Sequence, residues 1–349
     1  MNNSERLLSA FAEKTFFKEF VMDDLCFTPE NRTEIELADL LINLDNYIIA
    51  VQLKVRNKSL QTNDLNTENR WLFQKCRKAK SQVKETIQLI AAGSLPAFKN
   101  KRGQSIVLRA DANVIPLIVF ENDKITSYPH LLYKHSDSGM DINCMSFQDF
   151  QEMCDVLVTP FEIILYLDYR KRFYEQYGDV NEFIIDTPKG IVLSKPSNHE
   201  MLAHHFLLER YGSKELVRQK KTLYLFSDFM HCLPSHTVVS SAENGNYTVL
   251  LFLAHFDRKE ICEFMTRLQA TRKQAKRHKA GALYSMRRAD NEFAIVFVAG
   301  GILKMDLLLS VVRQKADVKR LMEVSVYFES KTSYRIDFSF WDDSGSGSK

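Results

Sequence analysis

The chain has 349 residues, of which 45% are hydrophobic and 26% charged, and this composition excludes an intrinsically disordered protein. Its formal net charge is only +3, so affinity for nucleic acid would have to come from local clusters of cations. The six cysteines form no Cys-x-x-Cys pair and no zinc-finger spacing, which excludes the common zinc modules.

No apolar run reaches the length of a membrane span, and the N-terminus lacks the basic flank and apolar run of a signal peptide. Scattered cysteines without a disulfide framework are typical of a reducing compartment. Together these features predict a cytoplasmic protein with reduced thiols.

The first third of the chain predicts the order helix, three strands, helix, strand. Apolar residues recur at helical spacing in "SERLLSAFAEKTFFKEF" and again in the long segment that contains Leu72, Cys76 and Val83. Between these helices lie apolar runs interrupted by turn-forming residues, which is the pattern of strands. The expected elements are a helix over 4–20, strands over 25–28, 34–44 and 47–56, a helix over about 68–91, and strands over 105–110 and 113–120.

The rest of the chain predicts helices first and a second α/β pattern afterwards. Residues 146–177 are expected to be helical, with Ser146 and Asp149 as a capping pair and Pro160 at the start of the second half. Later apolar runs, among them "TLYLF" and "YTVLLFLAHF", are interpreted as strands that alternate with helices near 198–211, 257–279 and 305–320. We therefore expect α/β domains over 1–145 and 179–343, a helical connector over 146–178 and a flexible tail over 344–349.

A hydrophobic hairpin in the first third carries three polar side chains that a plain strand does not need. If Asp45 and Asn46 form its two-residue turn, the register that follows places Asp39 opposite Gln52. Side chains alternate between the two faces of a strand, so Lys54 lies on the same face as both. The sequence therefore predicts a cluster of Asp39, Gln52 and Lys54 among Leu, Ile, Val and Ala side chains.

The chemistry of this cluster suits a divalent cation. Opposed side chains on neighbouring strands have Cβ atoms about 5 Å apart, so one ion could contact the oxygens of both Asp39 and Gln52. An anionic and a neutral oxygen ligand suit Mg²⁺ or Mn²⁺ better than zinc. Lys54 would then hold a water molecule or balance negative charge on a phosphate. The alternative is that Asp39 and Lys54 form a purely structural ion pair, since a buried charge needs a partner.

The hairpin and its surroundings resemble the PD-(D/E)XK, or restriction-endonuclease-like, nuclease superfamily. That superfamily has an αβββαβ core, with an Asp on one strand of a hairpin and (Asp/Glu/Gln)-x-Lys on the next. Here the matching residues are Asp39 and Gln52-Leu53-Lys54, and the Gln-x-Lys form is similar to the Mrr-like and nuclease-related branches. The resemblance covers roughly the first third of the chain. It implies hydrolysis of nucleic-acid phosphodiesters that depends on Mg²⁺ or Mn²⁺, with DNA as the expected substrate.

The resemblance also implies that the two helices contribute residues. The superfamily often adds a Glu from the first helix, for which Glu13 is the candidate and Glu19 the alternative. It often adds a polar residue from the helix after the hairpin, where Gln82 fits, and Lys78 or Lys80 would contact phosphates. The alternative for each of these residues is a position on a solvated helix face.

A second concentration of cations lies in the C-terminal part of the chain. The cations lie at the C-terminal end of a predicted helix, whose N-terminus Asp257 and Glu260 are expected to stabilise as a capping box. The cations expected to bind nucleic acid there are Arg272, Lys273, Lys276 and Arg277. The alternative is that these cations stabilise the C-terminus of the helix and keep the surface soluble.

Taken together, these features predict a metal-dependent endonuclease joined to a C-terminal α/β domain that recognises, gates or oligomerises. Nucleic acid, above all DNA, is the expected partner, beside a second copy of the chain or a partner defence protein. A role in bacterial defence against phage is expected by association only. The alternative function is a non-catalytic module that keeps a nuclease-like fold in order to bind nucleic acid or protein.

Overall fold

The computed structural model describes residues 3–28, 34–125, 132–134, 141–177, 182–187, 190–195, 197–212, 219–233, 245–277, 283–287, 293–299, 320–329 and 334–342. The chain divides into two compact units, Met1–Arg218 and Gln219–Lys349. The expected tail at 344–349 lies outside the described residues, as does all but the last residue of the expected helix at 305–320.

Helices and strands alternate along the N-terminal unit. Its helices are α1 (Asn3–Phe16), α2 (Leu65–Ala91), α3 (Phe147–Leu157), α4 (Pro160–Tyr177) and α5 (His199–Tyr211), and a 3-10 turn, Lys58–Leu60, precedes α2. Its strands are β1 (Val21–Met22), β2 (Cys26–Phe27), β3 (Ile35–Glu36), β4 (Leu40–Leu44), β5 (Tyr47–Val55), β6 (Phe98–Lys99), β7 (Ser105–Ile106), β8 (Asn113–Glu121), β9 (Leu132–Lys134), β10 (Asp141–Ser146), β11 (Phe183–Thr187) and β12 (Gly190–Ser194).

The division between the units lies later in the chain than the predicted boundaries at 145 and 178. Helix α5 packs against α3 and against β11, and the Tyr211 hydroxyl donates a 2.6 Å hydrogen bond to the buried Glu162 of α4. The expected connector and the described segment after it therefore lie within the N-terminal unit.

Six strands of the N-terminal unit form one mixed sheet in the order β1-β4-β5-β8-β10-β9. Strands β1, β4 and β5 are antiparallel neighbours, whereas β8 lies parallel to β5 and β10 lies parallel to β8. Helix α1, these three antiparallel strands, helix α2 and strand β8 follow the order αβββαβ. The predicted α/β class with a mixed sheet is therefore confirmed.

The first strand of this sheet differs from the predicted one. The sequence predicts a strand over 25–28, but β2 pairs with β3 in a separate two-stranded ribbon. Val21 and Met22 pair instead with β4. Val21 and Met22 are fully buried, whereas Cys26 is exposed. The segment with buried apolar side chains is therefore the one that joins the sheet.

Helix α2 covers the sheet face toward which Gln52 and Lys54 point. Asp64 caps the helix by accepting a hydrogen bond from the Asn66 N–H. Its buried side chains and those of the sheet form one core cluster, consisting of Trp71, Leu72, Cys76, Ala79, Ile118, Phe120, Ile125, Ile142 and Cys144. In β5, Gln52 lies beside Ile118 and Lys54 beside Phe120, so both face α2.

Helix α4 covers the opposite face of the sheet. Asn143 precedes Cys144 on β10, so its side chain points away from α2. The side-chain Oδ1 of Asn143 accepts a 3.1 Å hydrogen bond from the fully buried Arg170 of α4. The sheet therefore lies between two helical layers, and the candidate polar residues of the hairpin belong to the α2 side.

The C-terminal unit is also α/β, as predicted. Its helices are α6 (Lys220–Cys232), α7 (Gly245–Ala254) and α8 (Arg258–Lys276), and its strands are β13 (Leu283–Arg287), β14 (Phe293–Ala299), β15 (Arg320–Phe328) and β16 (Tyr334–Asp342). The strands form a sheet in that order, in which β14 and β15 are parallel and the other pairs antiparallel. Phe264 of α8 packs on Phe297 of β14, with ring centroids 5.2 Å apart. Asp257 and Glu260 form the predicted capping box of α8.

Two segments predicted as strands are helical. "TLYLF" lies within α6, and most of "YTVLLFLAHF" forms α7. In α6 the buried residues Leu223, Phe226 and Met230 recur at intervals of three and four, which is a helical period. A short, continuously apolar run has no period that separates a buried helix from a buried strand, so these two predictions were wrong.

Candidate active site

The β4–β5 hairpin has the register that its turn predicts. Backbone pairing extends from the turn at Asp45 to Leu40, which pairs with Val51, so the next position outward places Asp39 opposite Gln52. Asp45 has a φ of 59°, in the left-handed region that Asp adopts more readily than most residues. The predicted register is therefore confirmed.

Asp39 lies one residue before β4, and its side chain holds it to β5. Its Oδ2 accepts a 2.7 Å hydrogen bond from the Leu53 N–H. The side chain thus continues the hairpin beyond its last backbone pair. This bond also fixes the carboxylate next to Gln52 and Lys54, which flank Leu53 in the chain.

Lys54 joins the three predicted side chains into one cluster. Its Nζ donates a 3.1 Å hydrogen bond to Gln52 Oε1 and lies 3.8 Å from Asp39 Oδ2. The side chains of Asp39 and Lys54 are 14% and 13% exposed, and Gln52 is 3% exposed. Asp39, Gln52 and Lys54, which we call the hairpin cluster, are therefore largely shielded from water.

The hairpin cluster disfavours the charges that it contains. Burial raises the pKa of Asp39, and the nearby Lys54 and Leu53 N–H only partly offset this effect. Burial likewise lowers the pKa of Lys54, and the charge of Lys78 lowers it further while Asp39 opposes the shift. Each group is displaced toward its neutral form, which is typical of a site that awaits an ion or a substrate.

Two further carboxylates, Glu5 and Glu36, interact electrostatically with Asp39, and the sequence interpretation missed both. Partial burial, Asp39 and Glu5 together raise the pKa of Glu36, and Glu5 also contributes to the raised pKa of Asp39. Glu36 ends β3 and Glu5 lies in the first turn of α1. The predicted strand over 34–44 includes Glu36, but alternation along one continuous strand assigns Glu36 to the face opposite Asp39. In the structure that segment divides into β3 and β4, and Glu5 lies on a helix. The position of Glu36 three residues before Asp39 was the one available signal.

The structure does not bring Glu13 or Glu19 to the hairpin cluster. Glu13 Oε1 lies 3.3 Å from Lys101 Nζ, and Glu19 Oε1 accepts a 2.7 Å hydrogen bond from Arg102 Nε. Both carboxylates therefore neutralise the basic loop between β6 and β7. The carboxylate of α1 that acts on Asp39 is Glu5, from the start of the helix, so the Glu13 prediction and its alternative are replaced.

Helix α2 presents Lys78 and Gln82 on the face that borders the hairpin cluster. Lys78 acts electrostatically on Lys54, and the Thr86 hydroxyl donates a hydrogen bond to the Leu37 carbonyl. Gln82 lies between them on the same helix face, at the spacing of four residues. Its Oε1 is buried without a hydrogen-bond partner. Such an atom is costly to bury, which marks Gln82 as an oxygen available to a ligand.

Lys80 lies on another side of α2. Burial lowers its pKa, and the neighbours that act on it electrostatically are Cys76 and Cys144 of the core. Two residues along a helix correspond to a rotation of about 200°, which separates Lys80 from Lys78. The structure therefore places Lys78 beside the hairpin cluster and Lys80 away from it.

The oxygen atoms around Asp39 fit a hard divalent cation with few anionic ligands. Among the described residues, no group of three or more His, Cys, Asp or Glu side chains is arranged to hold a metal ion. Asp39 would therefore bind together with neutral amide oxygens, those of Gln52 and Gln82. Amide and carboxylate oxygens are ligands that Mg²⁺ and Mn²⁺ accept, and the orphaned Oε1 of Gln82 supports the fit.

The four cations predicted to contact nucleic acid in the C-terminal unit lie at the end of α8. Lys273, Lys276 and Arg277 are exposed. The Arg272 guanidinium instead lies over the Tyr334 ring, 5.1 Å from its centroid. Three of the four are thus accessible to a phosphate backbone, whereas Arg272 also packs the helix against β16.

No helix within the described part of the chain is long and apolar enough to cross a membrane. Comparisons of the chain with protein-family models, with curated proteins and with solved structures give no match. The interpretation of the site therefore depends on its own geometry and chemistry.

Proposed function

We propose that the N-terminal unit is a metal-dependent endonuclease of the PD-(D/E)XK kind, which hydrolyses nucleic-acid phosphodiesters and has DNA as its substrate. The observation that carries this proposal is the meeting of Asp39, Gln52 and Lys54 on one sheet face, with both charged groups displaced toward their neutral forms. Burial shifts pKa values in structural ion pairs as well, so it is the meeting of the three side chains on one sheet face that carries the proposal.

The oxygen-bearing residues have binding roles in this proposal. Asp39, Gln52 and Gln82 hold Mg²⁺ or Mn²⁺, and Glu5 and Glu36 increase cation affinity through their negative charge. When bound, the metal supplies Lewis-acid activation of the phosphodiester and of the attacking water. Asp39 is held for this task by the Leu53 N–H.

The lysines have the complementary role. Lys54 Nζ donates one hydrogen bond to Gln52 Oε1, and its other N–H groups orient the attacking water or contact the phosphate that develops negative charge. Lys78, on the neighbouring face of α2, adds a second positive charge for the same phosphate. The largely shielded position of Lys54 strengthens these interactions, because charges act over longer distances where water is excluded.

The test is incubation of the purified full chain with plasmid, single-stranded DNA and RNA in Mg²⁺, Mn²⁺ or EDTA. We expect cleavage with either metal and none with EDTA. Lys54→Ala should abolish cleavage but retain Mn²⁺ binding, measured by titration calorimetry, because Lys54 is not a ligand. Lys58→Ala is the matched control, since Lys58 is 74% exposed and pairs with Asp123.

Two results would contradict the nuclease proposal. One is a wild-type protein that cleaves none of these substrates with either metal. The other is a Lys54→Ala variant that cleaves as fast as the Lys58→Ala control.

A second candidate function is a non-catalytic module that binds nucleic acid or protein. It is favoured by the hydrogen bond that Lys54 already donates to Gln52, and by the lack of a cluster of three acidic or histidine ligands among the described residues. This alternative predicts nucleic-acid binding that EDTA does not alter, together with no Mn²⁺ binding that depends on Asp39.

We further propose that the C-terminal unit contributes nucleic-acid contacts through the exposed end of α8. None of the six cysteines, all within the described residues, forms a disulfide, which supports our placement of the protein in the cytoplasm. A role in defence against foreign DNA, with a second copy or another protein as partner, follows from the nuclease proposal by association alone.

A further inference from the structure

Helix α2 carries a row of cations on the side opposite to Gln82, away from the hairpin cluster. Residues spaced alternately by three and four positions form one ridge along a helix. The ridge, which we call the outer stripe, consists of Arg70, Phe73, Arg77, Lys80 and Lys84. It is about 21 Å long at 1.5 Å per residue. It contains no acidic residue, since the acids of α2 are the buried Glu68 and Glu85 on another ridge.

Phe73 interrupts this row of charges with an exposed aromatic ring. Its exposed fraction is 59%, although most of the other apolar side chains of α2 pack on the sheet. A single exposed apolar residue is common on protein surfaces and has no meaning by itself. Phe73 differs in that Arg70 and Arg77 flank it on the same ridge, at the i−3 and i+4 positions, and both are exposed.

An exposed aromatic ring among cations is the arrangement with which proteins bind unpaired nucleotides. The ring stacks on a base, which every base permits, and the cations contact the adjoining phosphates. In a duplex the bases are already stacked within the helix, so Phe73 gains nothing there. Charge complementarity therefore favours nucleic acid, and the aromatic ring favours a single strand.

We propose that the outer stripe binds a single-stranded segment of nucleic acid, with a base stacked on Phe73 and phosphates held by Arg70, Arg77, Lys80 and Lys84. The inference rests on the proposed nuclease function and narrows its substrate to strands with unpaired bases. Phe73 and Lys78 are separated by about 140° around the axis of α2. A strand bound to the outer stripe reaches the hairpin cluster by crossing the solvent-exposed side of the helix at Arg77 and Ser81.

The test measures binding without cleavage, on the full chain carrying Lys54→Ala and in EDTA. Fluorescence anisotropy reports the dissociation constant for labelled oligothymidylate, its RNA counterpart and a DNA duplex. Phe73→Ala should weaken single-strand binding about tenfold and leave duplex binding unchanged. Phe73→Trp should bind single strands at least as tightly as the unsubstituted Phe73. Leu60→Ala is the matched control, because Leu60 is also 59% exposed but lies outside the outer stripe.

An equal loss of single-strand and duplex binding, or no loss at all, would overturn the inference. Thermal unfolding of each variant shows whether the fold survives. If Phe73→Ala does not fold, Phe73→Leu replaces it, because leucine keeps an apolar side chain without a ring and should weaken single-strand binding alone. Because neither metal nor Lys54 is present, the result is independent of catalysis. If Phe73 has no effect while the wild type cleaves DNA, the outer stripe inference fails alone. If Phe73 has its effect while the wild type cleaves nothing, the nuclease proposal fails and the stripe belongs to a binding module.

Discussion

The hairpin cluster and a second polar cluster, around Glu68, are built from neighbouring positions of one strand. Lys54 is the penultimate residue of β5, and Arg56 follows its end. Glu68 is completely buried, and it accepts hydrogen bonds of 3.1 Å from Arg56 Nε and 2.8 Å from Asn122 Nδ2. Asp39 accepts a 2.7 Å hydrogen bond from the Leu53 N–H, and its other neighbouring donor, Lys54 Nζ, lies farther away, at 3.8 Å from Oδ2.

The net pKa shifts of the two carboxylates are opposite, although burial raises the pKa of both. Burial by itself would raise the pKa of Glu68, but hydrogen bonds from the Thr62 N–H, Asn122 and Arg56 hold its pKa below the ordinary value. For Asp39 burial prevails and the pKa is raised. A buried carboxylate stabilises the fold when neighbouring groups donate all the hydrogen bonds that it can accept. A buried carboxylate that accepts fewer hydrogen bonds can still bind a group from outside the chain.

The largest effect expected from this contrast is on stability, when each acid is changed to its amide. Glu68→Gln leaves Arg56 without its partner and should lower the free energy of unfolding by about 3–5 kcal/mol. Asp39→Asn removes a disfavoured charge at nearly constant shape, so stability should be equal or higher while cleavage is lost. Urea unfolding of both variants and of the wild type measures the difference.

A large loss of stability in Asp39→Asn, similar to that of Glu68→Gln, would contradict the proposed difference between the two carboxylates. Asp39 and Lys54 would then be a structural ion pair, and the hairpin cluster would have no need of a metal.

Substitutions of Gln52 test whether the hairpin cluster binds a metal ion. If its amide oxygen is a ligand, Gln52→Ala should lose most cleavage at limiting Mg²⁺, and Gln52→Glu should retain or strengthen metal binding, because an anion replaces a neutral oxygen. Cleavage rates across a Mg²⁺ titration, beside calorimetry with Mn²⁺, measure both effects. Gln61→Ala is a control, since that amide donates its hydrogen bond to the Arg56 carbonyl in the loop after β5. A Gln52→Ala variant as active as this control at low Mg²⁺ would exclude a ligand role.

Substitution of the cations at the end of α8 should have a smaller effect, on the affinity for DNA and on its dependence on salt concentration. Replacing Lys273, Lys276 and Arg277 with Glu should weaken DNA binding and reduce the slope of log K against log salt by about 0.9 for each phosphate that the protein no longer neutralises. Lys259→Glu, at the other end of α8, serves as the control. Gel-shift titrations at several salt concentrations measure the slope. An unchanged slope would mean that these cations only stabilise the helix terminus.

The smallest expected effect is the dependence of stability on pH, and its sign differs between the two clusters. Asp39 has a folded pKa above the ordinary 3.8, so its contribution is complete below that pH and is lost as the pH rises through the raised pKa. Glu68 has a folded pKa below the ordinary 4.5, so its contribution is present above that pH and is lost as the pH falls through the lowered pKa.

Urea unfolding across the acidic range tests both signs. As the pH rises above about 3.8 the wild type should lose stability relative to Asp39→Asn, and as the pH falls below about 4.5 it should lose stability relative to Glu68→Gln. Parallel curves for the three proteins would show that neither carboxylate has the environment described above.

Much of the hairpin could be predicted because its determinants are local. A two-residue turn fixes the register of a hairpin, and alternation then assigns every side chain to a face. Asp39, Gln52 and Lys54 therefore follow from the positions of Asp45 and Asn46. The long helix α2 was equally accessible, because its buried residues keep a regular period over 27 residues.

The misses share a different cause. The strands expected at "TLYLF" and "YTVLLFLAHF" are helices, because a short run that is buried on every side loses its period. The first-helix carboxylate was placed at Glu13 because a period identifies the buried face of a helix but not which turn of it reaches a distant strand. Lys101 and Arg102, from a loop far along the chain, attract Glu13 and Glu19.

From the sequence alone follow the α/β class, the register of the β4–β5 hairpin, the helix α2 and the three side chains of the hairpin cluster, since turns, alternation and helical periods act over a few residues. The tertiary structure was needed to show that Glu5 and Glu36 interact electrostatically with Asp39 and that Lys78, but not Lys80, borders the cluster. It was also needed to show that Arg56 donates a hydrogen bond to Glu68. These contacts join residues far apart in the chain. They depend on how helices are rotated and placed over the sheet, which packing of the whole core decides.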